Sequence, residues 1–409
     1  MNQQVRAERI LQGVRVVELT RAGVGPFAGR ILGELGATVI HVESRRKLDP
    51  LRTTLPYKDN KSGINRAAYF NKYNANKYGM ALDLTKPKGP AIFKKLIEWA
   101  DIFLESNQPR TMAKYNLDYE GVKGINPSII MLSTSMLGQT GPFNQFKAYG
   151  YQASALAGFC EITTFPDREP VGPVGAYTDM LAPLLATNAI IAALVHRRRT
   201  GEGQFLDQSQ LESAIWFLAP MIFDFTMNKQ LTQPIGNRCE YASPHGCYQC
   251  RGKDRWCAIA IFSDEEWRTF CTLIDSPALS SDTRFATFAS RKANEDELDK
   301  LIEAWTITQS APKVARLLQS HGISAGIVAT GKDMHSNPKL KRRRHFKWLS
   351  HSELGELPYD SLPFRFSETS CEVWKPAPCL GEDTAFVCME ILKISEDEFA
   401  ELYQGGYFD

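Results

Sequence analysis

The 409-residue chain has almost no net charge: 48 Lys and Arg stand against 46 Asp and Glu, a formal +2. That balance removes any global electrostatic case for nucleic acid or a membrane surface as partner, although local basic clusters can still hold phosphates. Long hydrophobic runs are missing too. The longest, Met180–Val195, is interrupted by Thr187 and Asn188 and reads as a buried helix rather than a membrane span. Met1–Gln12 is polar and lacks the apolar centre of a secretory leader, so a cytoplasmic setting is expected. Paired cysteines are lacking: nine at irregular spacings do not form a disulfide framework. Cys247 and Cys250 make the single CxxC, and a structural zinc site would need a second pair. The reading is therefore of a chain with no metal. Internal repeats and low-complexity tracts are absent as well.

What is present is an ordinary globular composition, 43% hydrophobic and 23% charged. The length exceeds one hydrophobic core and calls for about two domains. Val14–Leu19 reads as a buried strand, Gly23-Val24-Gly25-Pro26 as a turn, and Phe27–Leu35 as a helix with Pro26 at its first position and Gly36 as its stop. Thr38–Val42 is a second strand, ending at Glu43. That βαβ unit predicts a parallel, doubly wound α/β sheet. The rhythm continues with strands at Met80–Leu84, Ile102–Glu105 and Ile129–Ser133, and helices at Pro87–Ala100, Tyr119–Gly124 and Tyr151–Phe159. Pro170–Tyr177 reads as extended and Asp179–Arg198 as a long helix. Gln204–Asp207 reads as a link to a helix over Gln210–Asn228. From about residue 230 the pattern shifts to a smaller α+β unit, with a hairpin across Tyr248–Ile261 and helices at Glu265–Ile274 and Glu295–Trp305. Beyond Ile327 the chain is loop-rich, then helical at Asp383–Lys393 and Glu396–Gln404.

The turn Gly23-x-Gly25-x-x-x-Gly29 lies close to a dinucleotide fingerprint, with Glu43 placed for a ribose hydroxyl and Arg45 and Arg46 for a 2′-phosphate. The spacing departs from GxGxxG, and Pro26 removes an N–H that would face a phosphate. An NAD(P)-binding oxidoreductase is thus one alternative, and a plain strand-to-helix turn is the simpler reading.

Several segments share an order and spacing. At the front stand Leu11-Gln-Gly-Val-Arg-Val-Val-Glu-Leu-Thr20, Gly25-Pro26, Leu35-Gly-Ala-Thr-Val-Ile-His-Val-Glu43, Asn76-Lys77 with Leu82-Asp83-Leu84, and Gly138-Gln-Thr-Gly-Pro142. Then come Asp179, Ala192-Ala-Leu194, Arg199-Thr-Gly-Glu-Gly-Gln204 with Asp207, Pro244-His-Gly-Cys-Tyr248, Asp254-Arg-Trp256, Pro363 to Ser367, and Pro378-Cys-Leu-Gly-Glu382. Together they resemble the family III CoA-transferases, a family that includes formyl-CoA transferase, carnitine CoA-transferase and α-methylacyl-CoA racemase. The resemblance implies a Rossmann-like large domain built from both termini (1–228 and 329–409), a small α+β domain inserted at 229–328, and an interlocked dimer, homomeric or heteromeric. It implies an acyl-CoA donor, succinyl-CoA being a common one, and a carboxylic acid acceptor. Coenzyme A enters as a thioester substrate, with no cofactor held permanently.

On spacing alone, Asp179 is a helix N-cap. The resemblance places it on the family's nucleophile. A carboxylate there attacks the donor thioester and forms a mixed anhydride. The released thiolate converts this to an aspartyl thioester, and the acceptor acid reverses the steps. Gly23, Val24, Gly25 and Gly138 are the expected oxyanion and acyl-pocket positions. The resemblance puts Arg45, Arg46, Tyr73, Asn74, Asn76, Lys77, Ser106, Asn107, Lys114 and Tyr151 along coenzyme A. Two departures steer the choice within the family. Gly23 stands where formyl-CoA transferase has a glutamine, and 237–246 lacks its tetraglycine loop, which argues against oxalate and formate. Gly150-Tyr151-Gln152 replaces the racemase branch's Gly-His-Asp, so α-proton exchange, the other alternative, lacks an imidazole.

Overall fold

Short β-branched runs and amphipathic helices alternate from residue 15 onward, and they assemble as that alternation requires. The computed structural model describes residues 8–409. It divides into two compact units. One comprises 8–159, Gly172–Leu231 and Lys339–Asp409; the other comprises Cys160–Val171 and Thr232–Pro338.

The first unit is organised on six strands: β1 (Arg15–Leu19), β2 (Thr38–Glu43), β3 (Tyr78–Ala81), β4 (Ile102–Glu105), β5 (Ile130–Ser135) and β6 (Gln204–Ser209). Every pairing is parallel, in the order β3-β2-β1-β4-β5-β6. That is the doubly wound order, in which the chain reverses direction beside β1 and opens a crevice at the strands' carboxyl ends. Its helices are α1 (Val24–Glu34), α2 (Ala68–Asn74), α3 (Gly89–Trp99), α4 (Tyr119–Ile125), α5 (Gly150–Ala157), α7 (Thr178–Thr200), α8 (Gln210–Ile215) and α9 (Ala219–Asn228); the single turn α6 (Phe159–Ile162) lies almost wholly in the second unit. One sheet face packs Val17, Phe93, Leu96 and Phe103 into a core, and the other packs Val16, Ala28, Ile31, Leu32 and Ile190.

Several local expectations are corrected. Gln204–Ser209 is a full edge strand rather than a link; its alternating burial hides only one side of it. The helix expected over 210–228 breaks into α8, a 3-10 turn at Trp216–Leu218 and α9, because Pro220 can only begin a new helix. Pro26 lies at the third helical position of α1, since Gly23 already caps the helix. The second half of Pro170–Tyr177 is not extended chain: Pro173–Ala176 is a run of bends, with Gly175 at φ +64°, that leads through a turn at Tyr177 into α7. β3 starts two residues early. By length and composition α7 would suffice to cross a membrane. It is instead a core helix, burying Ala186, Ile190 and Ala193 against α1.

The second unit carries an antiparallel sheet of β7 (His245–Gln249), β8 (Trp256–Ala260) and β9 (Ser324–Ile327), the last not foreseen. Helices α10 (Asp264–Leu273), α11 (Phe288–Ala293), α12 (Glu295–Thr306), α13 (Ala311–Ser320) and α14 (Gly331–Ser336) complete it around Trp267, Phe270, Leu298 and Leu318. The CxxC pair splits, with Cys247 exposed on β7 and Cys250 buried just past its end. The return segment holds α15 (Pro338–Arg342) and a hairpin of β10 (Phe346–His351) and β11 (Gly355–Asp360) where loops were expected, and closes with helical turns at Thr384–Ile391, opening with α16 (Thr384–Phe386), and with α17 (Glu396–Gln404), as the sequence predicts.

Candidate active site

Asp179 is the second residue of α7, directly after the turn through Gly175. Its carboxyl is wedged between two backbones. A β-carbon on Gly23 would lie 2.5 Å from Asp179 Oδ2, and one on Gly150 would collide with Oδ1 and stand 2.8 Å from Cγ. Gly23 caps α1 and Gly150 opens α5, so three helix N-termini converge on one carboxylate. Unpaired N–H groups and partial positive charge at such ends favour an anion. Burial works against the charge and pushes the Asp179 carboxyl up to about 6, while a hydrogen bond from Gln210 opposes the rise. Thr178 is buried and donates to the Gly150 carbonyl at 3.0 Å. Tyr73, also buried, points its hydroxyl at Met180 Sδ, 3.4 Å away; burial first and then the neighbouring Asp179 charge hold that phenol above its usual range.

A second feature lies at the carboxyl ends of β1 to β4. A cleft of about 120 Å³ is lined by Leu19, Arg21, Arg46, Lys47, Asn107 and Thr111, among others. Lys47 is pushed below the usual ammonium range, chiefly by loss of solvent and further by the cations Arg21 and Lys114. Arg21, Lys47 and Lys114 thus gather three like charges beside a cleft whose lining also includes Glu43 and Asp83. Arg46 reaches Asp83 at 3.2 Å on the same rim, whereas Arg45 is simply exposed.

Other expected contacts are placed elsewhere. Lys77 is fully buried, its ammonium bonded to Glu18 at 2.5 Å, Pro26 O at 2.7 Å and Asn74 Oδ1 at 2.8 Å. It cannot also meet a phosphate. Asn74 is buried beside it, and Asn76, at φ +63°, uses its side chain to hold the backbone of Glu372, Trp374 and Lys375. These residues build the core under α1. Glu18 also takes a bond from His41 at 2.7 Å. Burial would raise Glu18, but Lys77 and His41 hold it below the usual carboxylate range. Glu43, the candidate ribose ligand, is taken up by Arg52 at 2.9 Å and the Asp49 N–H at 2.8 Å. Gly29 is needed because Glu18 and Lys77 press against it, and Gly25 because Thr20 does. The glycines of the apparent dinucleotide fingerprint thus serve packing.

Ser106 and Asn107 tie the β4 loop to Arg21 and Leu19. Gly138, at φ +84°, sits in a loop pinned by Asp207, whose carboxylate accepts the Gln139 N–H at 2.9 Å; the oxyanion role expected of Gly138 finds no contact with Asp179. Tyr151 is 48% exposed on α5. Four residues went unnoticed in the sequence: Gln210, Thr178, Arg21 and Lys47. None of the four carries a sequence signal; the buried Glu18 does, as the one acid inside the strand VRVVEL.

The profile of CoA-transferase family III matches residues 11–384. The chain is 31% identical over 397 residues to succinyl-CoA–D-citramalate CoA-transferase of Chloroflexus aurantiacus, covering 97% of this chain and 98% of that one. It is 30% identical over 383 residues to succinate–glutarate CoA-transferase of Agrobacterium fabrum, covering 93% and 95%. A solved CAIB/BAIF family protein from Brucella suis superposes with a TM-score of 0.87 at 30% identity, covering 94% of this chain and all of that one.

Proposed function

Because this chain belongs to CoA-transferase family III and is a CoA-transferase, we propose that it moves coenzyme A from succinyl-CoA to a small dicarboxylic acid, with Asp179 as the covalent carrier. The observation that carries this is the state of Asp179: a carboxyl pushed up to about 6, wedged between Gly23 and Gly150 where three helices begin. At neutral pH it is ionised yet poorly solvated, which is what a carboxylate nucleophile needs. The donor thioester is attacked to give a mixed anhydride and CoA thiolate. The thiolate then takes the aspartyl carboxyl carbon, and the acceptor acid runs the sequence backward. The N–H groups of Val24 and Gly25, in the first turn of α1, stabilise the oxyanion on the incoming acyl group. No metal or ATP is required, because the thioester energy is retained.

The cationic corner of Arg21, Arg46, Lys47 and Lys114 holds the phosphates of coenzyme A. The dicarboxylate class comes from the relatives named for citramalate and glutarate. The exposed apolar side chains of α9 and its approach, including Phe223, Met227 and Trp216, support a dimer that covers them. Related C. aurantiacus proteins are named as alpha and beta subunits, so an unlike partner is the second form of that proposal. A cytoplasmic enzyme fits these substrates.

The test is peptide mass spectrometry after incubation with succinyl-CoA and hydroxylamine. A hydroxamate on the Asp179 peptide, absent in Asp179→Ala, is the expected result. An unlabelled protein that transfers CoA at full rate would overturn the covalent route.

A further inference from the structure

Gln210 opens α8 and is 7% exposed. Its amide nitrogen donates to Thr178 Oγ1 at 2.8 Å and to Asp179 Oδ1. The partners dictate that orientation. Thr178 spends its own hydrogen on the Gly150 carbonyl, so it must accept from Gln210, and an ionised carboxylate only accepts. Both therefore call for the NH2 end of the amide. The two Asp179 oxygens are thereby made unequal. Oδ1 lies on the Gly150 side under Gln210, and Oδ2 lies against Gly23 at the start of α1.

We propose that Oδ2 is the attacking oxygen and that Gln210 is the oxyanion donor for the second chemical step, attack of the CoA thiolate on the Asp179 carboxyl carbon. The inference rests on Asp179 being the covalent carrier. In the first step Oδ2 adds to the thioester carbon. The C–S bond breaks, and coenzyme A leaves with the electron pair as thiolate. The resulting mixed anhydride keeps Oδ1 as the aspartyl carbonyl oxygen. When the thiolate adds to Cγ, the C=O pair moves onto Oδ1, where the Gln210 N–H is already aimed. Collapse breaks Cγ–Oδ2 and releases the donor acid as a carboxylate carrying Oδ2. Oδ1 becomes the carbonyl of the aspartyl thioester. The acceptor carboxylate displaces the thiolate through the same oxyanion, so Gln210 serves both half-reactions. A donor fixed where charge develops is worth far more than one recruited from solvent. Residues at the α1 N-terminus cannot fill this role, because they face the other oxygen.

The experiment is rapid-quench mass spectrometry of the intact enzyme with succinyl-CoA and no acceptor, comparing wild type with Gln210→Leu and the near-isosteric Gln210→Met. Melting temperatures report whether each variant folds. Both variants are expected to form the aspartyl-CoA adduct roughly 10²-fold more slowly, the usual effect of losing one oxyanion donor. KM for succinyl-CoA should stay put, and slow succinyl-CoA hydrolysis should persist, because the anhydride still forms. Adduct formation at the wild-type rate in a folded variant would overturn the role given to Gln210. So would joint loss of adduct and hydrolysis with a raised KM, which marks a mere prop. If wild type transfers CoA but shows no adduct at all, the Asp179 reading itself fails.

Discussion

A β-carbon on Gly23 would stand 2.5 Å from the carboxyl carbon of Asp179, closer than any real contact allows. The first glycine of an apparent nucleotide-binding turn is therefore the floor on which the Asp179 carboxylate rests. Nothing in its local sequence distinguishes those roles.

Gly23→Ala tests that floor. The added methyl displaces Asp179 from the start of α7, and a misplacement of about 1 Å costs on the order of 10²-fold in rate. We expect kcat to fall by about that factor with the fold retained, read by steady-state kinetics beside circular dichroism. Wild-type kcat in this variant would mean that the carboxylate works from another position.

Activity should depend on ionised Asp179. The log of kcat/KM is expected to rise with pH up to about 6 and then level off. Gln210 donates to the carboxylate and opposes the rise in its pKa, so Gln210→Leu should move that limb to higher pH. An unchanged limb would detach the ionisation from Asp179.

Asp179→Asn should be inactive yet more stable. The folded pKa lies above the unfolded value of 3.8, so the cost of the ionised carboxylate builds as pH rises from about 4 to about 6 and is fully present above that. The Asn variant is expected to gain on the order of 2 kcal/mol at pH 7.5. Below about pH 4 the gain should vanish, because the carboxyl is then protonated in both states. Urea denaturation at the two pH values reads the difference directly.

Lys47→Ala and Lys114→Ala should each raise KM for the CoA thioester by roughly 10-fold while leaving kcat within about twofold, since phosphate contacts supply uniform binding. The loss should shrink at high salt, where exposed charges are screened. A kcat effect without a KM effect would move these lysines out of the phosphate corner.

Lys77 shows how a residue's type can mislead. A lysine close to a glycine-rich turn invites a phosphate, but its 2.5 Å bond to Glu18 places it in the core under α1. The pairing joins residues 59 positions apart, and only Glu18, a charge inside VRVVEL, hinted that something buried must answer it. β6 was hidden for a similar reason. As an edge strand it buries only one side, so Gln204–Ser209 carries too few apolar residues to announce itself.

The sequence by itself determined the periodic core. β1, α1, β2, α3 and β4 follow from apolar spacing and from the residues that start and stop helices, because those are local preferences read within one turn or one pleat. It also marked Asp179 as the first acid of the long helix, and through resemblance as the carrier. Only the tertiary structure decided what surrounds that acid. Gly23, Gly150, Thr178 and Gln210 come from four separate stretches of chain, and they meet because a parallel sheet gathers its helix starts at one edge. Burial and the Gln210 amide, which together set the charge and reactivity of Asp179, exist only once that edge has formed.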